Sequence, residues 1–422
     1  MNTYHNYSKE ELLTLKIKID KKYEDYKKQN LKLNMSRGKP CSEQLDLSKG
    51  LFESVDPLIS KSGIDCRNYG FIRGLPEVRE LFADLLEVNI EELIIGSNSS
   101  LNLMYDTIAR CFTRGVSKTS TPWSKLDNVK FLCPSPGYDR HFSMCELFNI
   151  EMIPIPLNED GPDMDIVEEL VSKDKSIKGI WCVPKYSNPT GIIYSNETVS
   201  RLASMKTAAE DFRIFWDNAY IVHHLTDKHP KLKNILRTCE EEGNPDQVFI
   251  FSSTSKITYA GSGISLLSSS INNIDYMINL MSKQTIGSSK INQLLHYRFL
   301  RSAENISEHM KKHAQILKPK FDMVLNIFAK ELGNKEIANW SNPHGGYFIS
   351  LNVMDNCAKQ VVKLAKKAGV TLTDAGATYP YGNDPNDSNI RIAPSYPSMD
   401  DLKKAIEVVC TCIEKVTLDK IL

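Results

Sequence analysis

The chain has 422 residues, too many for one ordinary hydrophobic core, so two or more domains are expected. Its 52 Lys+Arg balance its 52 Asp+Glu, and 41% of residues are hydrophobic. That is the composition of a soluble globular protein and gives no support to nucleic acid or membrane as a partner. The ten cysteines are scattered without a CxxC pair, which argues against zinc or a redox dithiol and suits a reducing cytosol. The N-terminus, MNTYHNYSKEELL, lacks the apolar core of a signal peptide. No apolar run reaches membrane-spanning length, so a cytoplasmic location is expected.

Ser8 to Gln29 reads as a helix. Ser8 and Glu11 form a capping-box pattern, and Leu12, Leu15, Ile19, Tyr23 and Tyr26 make one apolar stripe. Leu33 to Pro40, LNMSRGKP, is a turn-rich connector. Cys66 to Gly74, CRNYGFIRG, is a glycine-punctuated loop, and a helix is predicted from Pro76.

Strand-like runs then alternate with helical stretches. Leu93–Ile95 runs into Gly96-Ser97-Asn98 and a helix with Leu101, Met104, Tyr105 and Ile108 on one face. Val129–Cys133 precedes Pro-Ser-Pro-Gly-Tyr-Asp, and Ile150–Ile155 follows. Gly179–Val183 precedes Pro-Lys-Tyr-Ser-Asn-Pro-Thr-Gly. Phe212–Trp216 precedes Asp-Asn-Ala-Tyr, and Val248–Phe251 precedes a loop holding Lys256. This alternation predicts an α/β domain with a mainly parallel sheet. From about Ser302 the character changes. A long helix (Ala303–Ala329), a strand entered through glycines (His344–Leu351), a helix (Asp355–Ala368), a short strand (Asn389–Ala393) and a final helix (Asp400–Leu418) suggest a smaller α+β domain. The N-terminal residues are expected to join it. The expected division is 51–301 for the large domain, and 1–50 with 302–422 for the small one.

Ligands of parallel sheets sit beyond the carboxyl ends of the strands. Five strand ends here carry a polar or aromatic cluster, and each cluster has a plain reading and a chemical one. Gly96, Ser97 and Asn98 could cradle a phosphate at a helix start, or Asn98 or Ser99 could simply cap that helix. Tyr138 could stack on a planar ring or pack in its loop. Asn188-Pro189-Thr190-Gly191 is a sharp turn placed after a buried strand. Asp217 is a semi-buried carboxylate needing a partner, or a cap. Lys256 is a desolvated, nucleophilic amine, or a loop charge. Arg391, inside an apolar strand, could grip a carboxylate or close an internal salt bridge. Together they match one cofactor. Pyridoxal phosphate has an aldehyde for a lysine, a ring nitrogen for an aspartate, a phenolic oxygen for Asn and Tyr donors, a ring face and a phosphate.

With these residues in place, the chain resembles class I aminotransferases of the pyridoxal-phosphate fold type I. It is nearest to the divergent subgroup, sometimes called Ic, that includes aspartate aminotransferases. The likeness spans nearly the whole chain. It rests on SRGKP (Ser36–Pro40), NYG (Asn68–Gly70), PSPGYDRH (Pro134–His141), NPTG (Asn188–Gly191), WDNAY (Trp216–Tyr220), STSKITYAGSG (Ser253–Gly263) and RIAP (Arg391–Pro394). The resemblance implies an α/β aspartate-aminotransferase-like fold, with a mainly parallel seven-stranded sheet in the large domain and a smaller α+β domain. It implies that Lys256 forms a Schiff base and shuttles the proton, that Asp217 pairs with the ring nitrogen, and that Asn188 and Tyr220 bond the phenolic oxygen. Tyr138 would stack on the ring. Gly96, Ser97, Asn98, Ser253 and Ser255 would hold the phosphate, with Tyr69 reaching in from the second subunit of a homodimer. Arg391 would bind the substrate α-carboxylate, with Gly38 and Asn188 beside it. No metal is implied.

The implied reaction is ping-pong transfer from L-aspartate to 2-oxoglutarate. The alternatives are another amino donor (alanine or an aromatic), a β-lyase, or a non-catalytic regulator of the same fold. The last is disfavoured because no helix-turn-helix domain fits before Ser36. Arg37, Lys39, Lys290 and Arg298 are candidates for holding a distal carboxylate. One position departs from the wider class: Ile264 stands where many members carry a phosphate-binding arginine, a feature the divergent subgroup shares. Hydroxyls such as Ser262 are expected to compensate.

Overall fold

Buried apolar runs need cover on both faces, and this chain meets that need by gathering most of its strands into one sheet between helices. The computed structural model describes residues 3–53, 55–227 and 229–422. In chain order its strands are β1 (Leu33–Asn34), β2 (Leu93–Ile95), β3 (Lys130–Ser135), β4 (Glu151–Asn158), β5 (Gly161–Pro162), β6 (Ile177–Cys182) and β7 (Arg213–Asp217). Then come β8 (Val248–Ser253), β9 (Ser265–Ser268), β10 (Ala338–Trp340), β11 (Ile349–Val353), β12 (Val370–Thr371) and β13 (Asn389–Ile392). The large sheet runs β2-β9-β8-β7-β6-β3-β4-β5. Strands β8, β7, β6, β3 and β4 pair in parallel, while β9 runs antiparallel to both β2 and β8. The expected seven strands are joined by an eighth, the two-residue β5, which folds back on the end of β4. The sequence of β9, Ser-Leu-Leu-Ser, carries too little pattern to be read as a strand.

Strand alternation sets the two faces. Phe131, Trp181, Phe215, Phe249 and Phe251 pack into one apolar cluster, and Leu132, Ile180, Ile214, Trp216 and Ile250 into another. By the same alternation Asp217 shares the face of Phe215.

Outside this sheet, β10, β11 and β13 form a three-stranded antiparallel sheet that sets Ser350 opposite Arg391. It is covered by the helices Lys9–Lys28, Ala303–Glu331 and Met399–Ile421, whose Tyr23, Phe321 and Val409 share one cluster with Ile349 and Ile392. The Ser8 capping box forms as expected, with Glu11 N bonded to Ser8 Oγ and Ser8 N to Glu11 Oε2. Strand β1 pairs in parallel with β12, which carries the SRGKP loop alongside the residues leading to Thr373. Three local expectations shift. The helix expected from Asp355 starts at Ala358. The glycine-entered strand starts only at Ile349, because Gly345 bridges instead to His224. On the helix Ser100–Arg114 the buried face runs through Leu103, Met104, Thr107, Ile108 and Cys111. Tyr105 lies outside it, exposed and tilted against Phe148.

Gly179 in β6 has no room for a side chain, since a Cβ there would lie 2.6 Å from the Phe131 ring. Gly179→Ala is expected to destabilise the fold by about 1–3 kcal/mol, read as a lower thermal unfolding midpoint. An unchanged midpoint would contradict this packing.

Candidate active site

Asp217 ends β7 and is buried. Its Oδ2 lies 3.0 Å from His141 Nε2. A carboxylate can only accept, so this ring nitrogen carries the hydrogen and donates it. His141 lies flat on Trp181, with centroids 4.1 Å apart and planes 6° apart, and edge-on to Tyr138 at 4.9 Å. Asp217 Oδ1 is buried with no hydrogen-bond partner, which costs about 1–3 kcal/mol unless a donor arrives. A protonated ring nitrogen is such a donor. Asp217 therefore is not a cap. His141, the partner, was not marked out by sequence. Its signal was its spacing three residues from Tyr138 at the start of the helix Asp139–Leu147.

Lys256 follows β8 and is only half-buried as a residue, but its amine is well inside. The Nζ lies 5.0 Å from the centre of the Tyr220 ring and 5.9 Å from that of Tyr347. It forms no ion pair among the described residues. Burial holds the amine below its ordinary pKa, partly opposed by the charge of Asp217. The loop around it is tied down from behind. His223 Nε2 reaches Lys256 O at 3.3 Å, His309 Nε2 reaches Ile257 O at 2.8 Å, and His296 Nε2 meets Thr258 Oγ1 at 2.9 Å. Gln44 Nε2 donates to Tyr347 Oη at 2.9 Å and to His313 Nδ1 at 3.0 Å, and His313 meets His309 at 3.2 Å. Burial pushes His296 and His313 down to about 4, so this network is uncharged at neutral pH. Burial also raises the Tyr220 phenol well above its usual value and lifts Tyr138 to about 12, with Asp217 adding to both.

The residues expected to hold a phosphate, Gly96, Ser97, Asn98, Ser253 and Ser255, gather at the β2 end. Gly96 allows a close approach, because a Cβ there would meet Ser265 Oγ at 2.5 Å. Ser99 caps the following helix, its Oγ accepting from Leu101 N. Ser97 is exposed, and its hydroxyl makes no hydrogen bond among the described residues. Asn98 Oδ1 accepts from Gly263 N at 2.8 Å, Ser255 Oγ donates to Asn98 O at 3.2 Å, and Ser253 Oγ donates to Ser255 Oγ at 3.1 Å. Ile264 is buried in an apolar cluster with Ile95, Ile257 and Leu266, and its N–H donates to Thr254 Oγ1. Ser262, expected as a compensating hydroxyl, donates instead to Asn292 Oδ1 at 3.1 Å. There it ties the loop to the helix Lys290–Leu300.

Arg391 closes the internal salt bridge of its plain reading. Its Nη1 donates to Asp139 Oδ1 at 2.8 Å and to Asn188 Oδ1 at 3.4 Å, and Nη2 to Thr373 Oγ1 at 3.2 Å. Its Nε is buried and unpaired, and its Cζ sits 5.0 Å from the centre of the Phe348 ring. A Cβ on Gly38 would collide with that same ring. Tyr69 stands apart from these residues. It is 81% exposed, and its carbonyl accepts from Lys290 Nζ at 2.7 Å.

The family model described as aspartate amino-transferase matches residues 7–422. The chain belongs to the aspartate aminotransferase family. It is 46% identical over 403 residues to an aspartate aminotransferase of Corynebacterium glutamicum, a match covering 94% of this chain and 92% of that protein. Its fold matches the crystal structure of an aspartate transaminase from C. glutamicum with a TM-score of 0.95 and 44% identity, over 99% of each chain. LysN, an α-aminoadipate aminotransferase from Thermus thermophilus, shares the fold at a TM-score of 0.75 and 19% identity, over 92% and 93% of the two chains. The protein is thus an aminotransferase. Pyridoxal phosphate is the cofactor its residues fit: the unpaired Asp217 oxygen, the desolvated Lys256 amine and the hydroxyl-lined helix start are each of a kind that would suit one part of that molecule.

The neutral histidines give the aminotransferase an acid-sensitive fold. Their folded pKa lies below the unfolded value near 6.5, so the unfolded state binds more protons between about pH 4 and 6.5 and stability falls as pH falls through that window. At pH 5 each of His296 and His313 is expected to cost on the order of 1–2 kcal/mol. Unfolding midpoints at pH 5, 6 and 7 should show a shallower dependence in His296→Gln than in the wild type. Equal slopes would contradict this account.

Proposed function

We propose that this aminotransferase moves the amino group of L-aspartate to 2-oxoglutarate by a ping-pong mechanism, with Lys256, Asp217 and Tyr220 at the reacting centre. The observation that carries the reading is the placement of a partnerless buried Asp217 oxygen and a desolvated Lys256 amine on one side of the same sheet edge. Pyridoxal phosphate, when bound, supplies an aldehyde to take up the amine and a ring that withdraws electrons from the carbon being deprotonated. Lys256 Nζ holds the cofactor, then takes a proton and returns it at the neighbouring position, which its lowered pKa favours. Asp217 Oδ1 accepts from the protonated ring nitrogen, and His141 fixes the carboxylate in place. Asn188 and Tyr220 bond the phenolic oxygen, and Tyr138 covers the ring. Gly96, Ser97, Asn98, Ser253 and Ser255 hold the phosphate by hydroxyl and backbone donors. Arg391 takes the α-carboxylate, using N–H groups that Asp139 and Thr373 leave free, and Gly38 keeps the approach open.

A homodimer follows from the same reading. Tyr69 is exposed and serves no group of its own chain's site, which supports its reaching into a second copy. The division into 51–301 and 1–50 with 302–422 is supported by the apolar cluster that the N-terminal helix shares with the C-terminal segment. A cytoplasmic location fits the buried, unpaired state of all ten cysteines. No helix of the described residues is long and apolar enough to cross a membrane.

The aspartate preference is supported by the named C. glutamicum relative. Of the candidates for its distal carboxylate, Lys290 is bonded to Tyr69 O, Arg298 to the carbonyls of Val55 and Ile59, and Lys39 lies over the Tyr396 ring at 3.7 Å. Arg37 remains, exposed and without an ion pair among the described residues. Arg140 is in the same state. Both flank residues that bear on Arg391, namely Gly38 and Asp139. Arg37→Ala or Arg140→Ala is expected to raise KM for aspartate by about 10–100-fold, the worth of a charged hydrogen bond, with alanine turnover unchanged. An unchanged ratio of aspartate to alanine turnover in both variants would remove the clamp.

Lys256→Ala tests the centre. Borohydride reduction of the wild type should leave the cofactor attached to Lys256, as read by mass spectrometry. The variant should retain no attached cofactor and lose at least about a thousand-fold in transamination. Attachment at another residue, or ammonia released from aspartate with no acceptor present, would overturn the reading.

A further inference from the structure

Lys185 lies on the far side of the sheet from Asp217 and takes no part in the chemistry above. It is only 7% exposed, and its ammonium makes no hydrogen bond or ion pair among the described residues. The Tyr186 ring is 6.0 Å away, and His224 and His229 are close enough to feel its charge. Its nearest negative charge is Glu87, which is already paired with Lys231 at 3.0 Å. Burial pulls Lys185 down to about 8, which still leaves it mostly charged at pH 7. An ammonium buried without a counter-charge is unfavourable by several kcal/mol, so the arrangement needs an anion to complete it.

The space for one is present. Lys185 lines a cavity of about 390 Å³ together with His229, Lys231, Lys233 and Asn218, over an apolar floor that includes Trp216. Lys233 is bound only to Ser200 Oγ, at 2.9 Å. Asn218 is buried on the same wall, and its amide carries two N–H donors. Glu87 is the one carboxylate on the wall, set against three lysines. We infer that this cavity is a binding site for a small organic anion, whose phosphate or carboxylate meets Lys185 and Asn218 and whose apolar body lies on Trp216. The occupant sits directly behind the strand that carries the cofactor-facing aspartate, because Trp216 and Asn218 flank Asp217.

The test uses the holoenzyme, so that the cofactor's own phosphate site is filled. Phenyl phosphate and benzoate are titrated separately by calorimetry into the wild type and Lys185→Met. At least one probe should bind the wild type, and Lys185→Met should weaken it at least tenfold with cofactor content unchanged. Preference for phenyl phosphate marks a phosphate ligand, and preference for benzoate a carboxylate. The site is overturned if neither probe binds, or if the variant binds both as well as the wild type, which would place them at Arg391. A second measurement needs no variant. Acetylation of the wild type, mapped by mass spectrometry, should show the bound probe protecting Lys185 and not the exposed Lys175. Equal labelling of Lys185 with and without the probe would overturn the proposal.

Discussion

Asp217 is buried at the carboxyl end of a central strand, with one oxygen held by His141 and the other facing no donor. The rest of the site can be derived from this pairing. The His141 ring can hold the carboxylate still only because it is clamped flat against Trp181, and Trp181 is fixed in turn by the phenylalanines of its sheet face. A carboxylate with one satisfied and one open oxygen is a poor arrangement for stability and a good one for receiving a positively charged N–H. The cost is met by the packing of an eight-stranded sheet, which fixes the strand ends to within the tolerance a cofactor needs.

The lysine depends on a different set of groups. Its ammonium lies over the Tyr220 and Tyr347 rings and makes no ion pair among the described residues, so its position depends on its backbone. Two consecutive carbonyls, of Lys256 and Ile257, are held by His223 and His309. His309 lies on the long helix Ala303–Glu331, and through His313 and Gln44 this network reaches the Tyr347 that borders the amine. The lysine, which belongs to the large sheet, is therefore anchored by residues from both ends of the chain. A change in how the long helix sits would be felt at the Lys256 nitrogen.

Much of this was legible in the sequence, for a definable reason. Asp217, Asn188, Tyr138 and Lys256 each stand just past an apolar run, and a polar residue at a buried strand end has few reasons to be there. Arg391 was visible as a charge inside an apolar strand. Its partner Asp139 lies 252 positions away, and no local pattern announces that contact. The histidines behind Lys256 were silent because a lone histidine on a helix carries no periodic signal, and their roles arise only when Gln44, His309 and Tyr347 converge. Ser262 is ambiguous in the sequence because a hydroxyl in a glycine-rich loop can bind a ligand or bind the loop, and its contact with Asn292 is not local. Tyr105 followed the helical period but fell just beyond the buried arc, where the edge of the packed face is set by Phe148 and not by spacing.

The open oxygen of Asp217 is where the ring nitrogen of a bound cofactor would donate, and that nitrogen reports on it directly. Nitrogen-15 magnetic resonance of the holoenzyme, loaded with cofactor labelled at that nitrogen, distinguishes its protonated and bare states. The nitrogen should be protonated in the wild type at neutral pH and should lose that proton in Asp217→Ala. A bare nitrogen in the wild type, or a protonated one that survives the substitution, would contradict it.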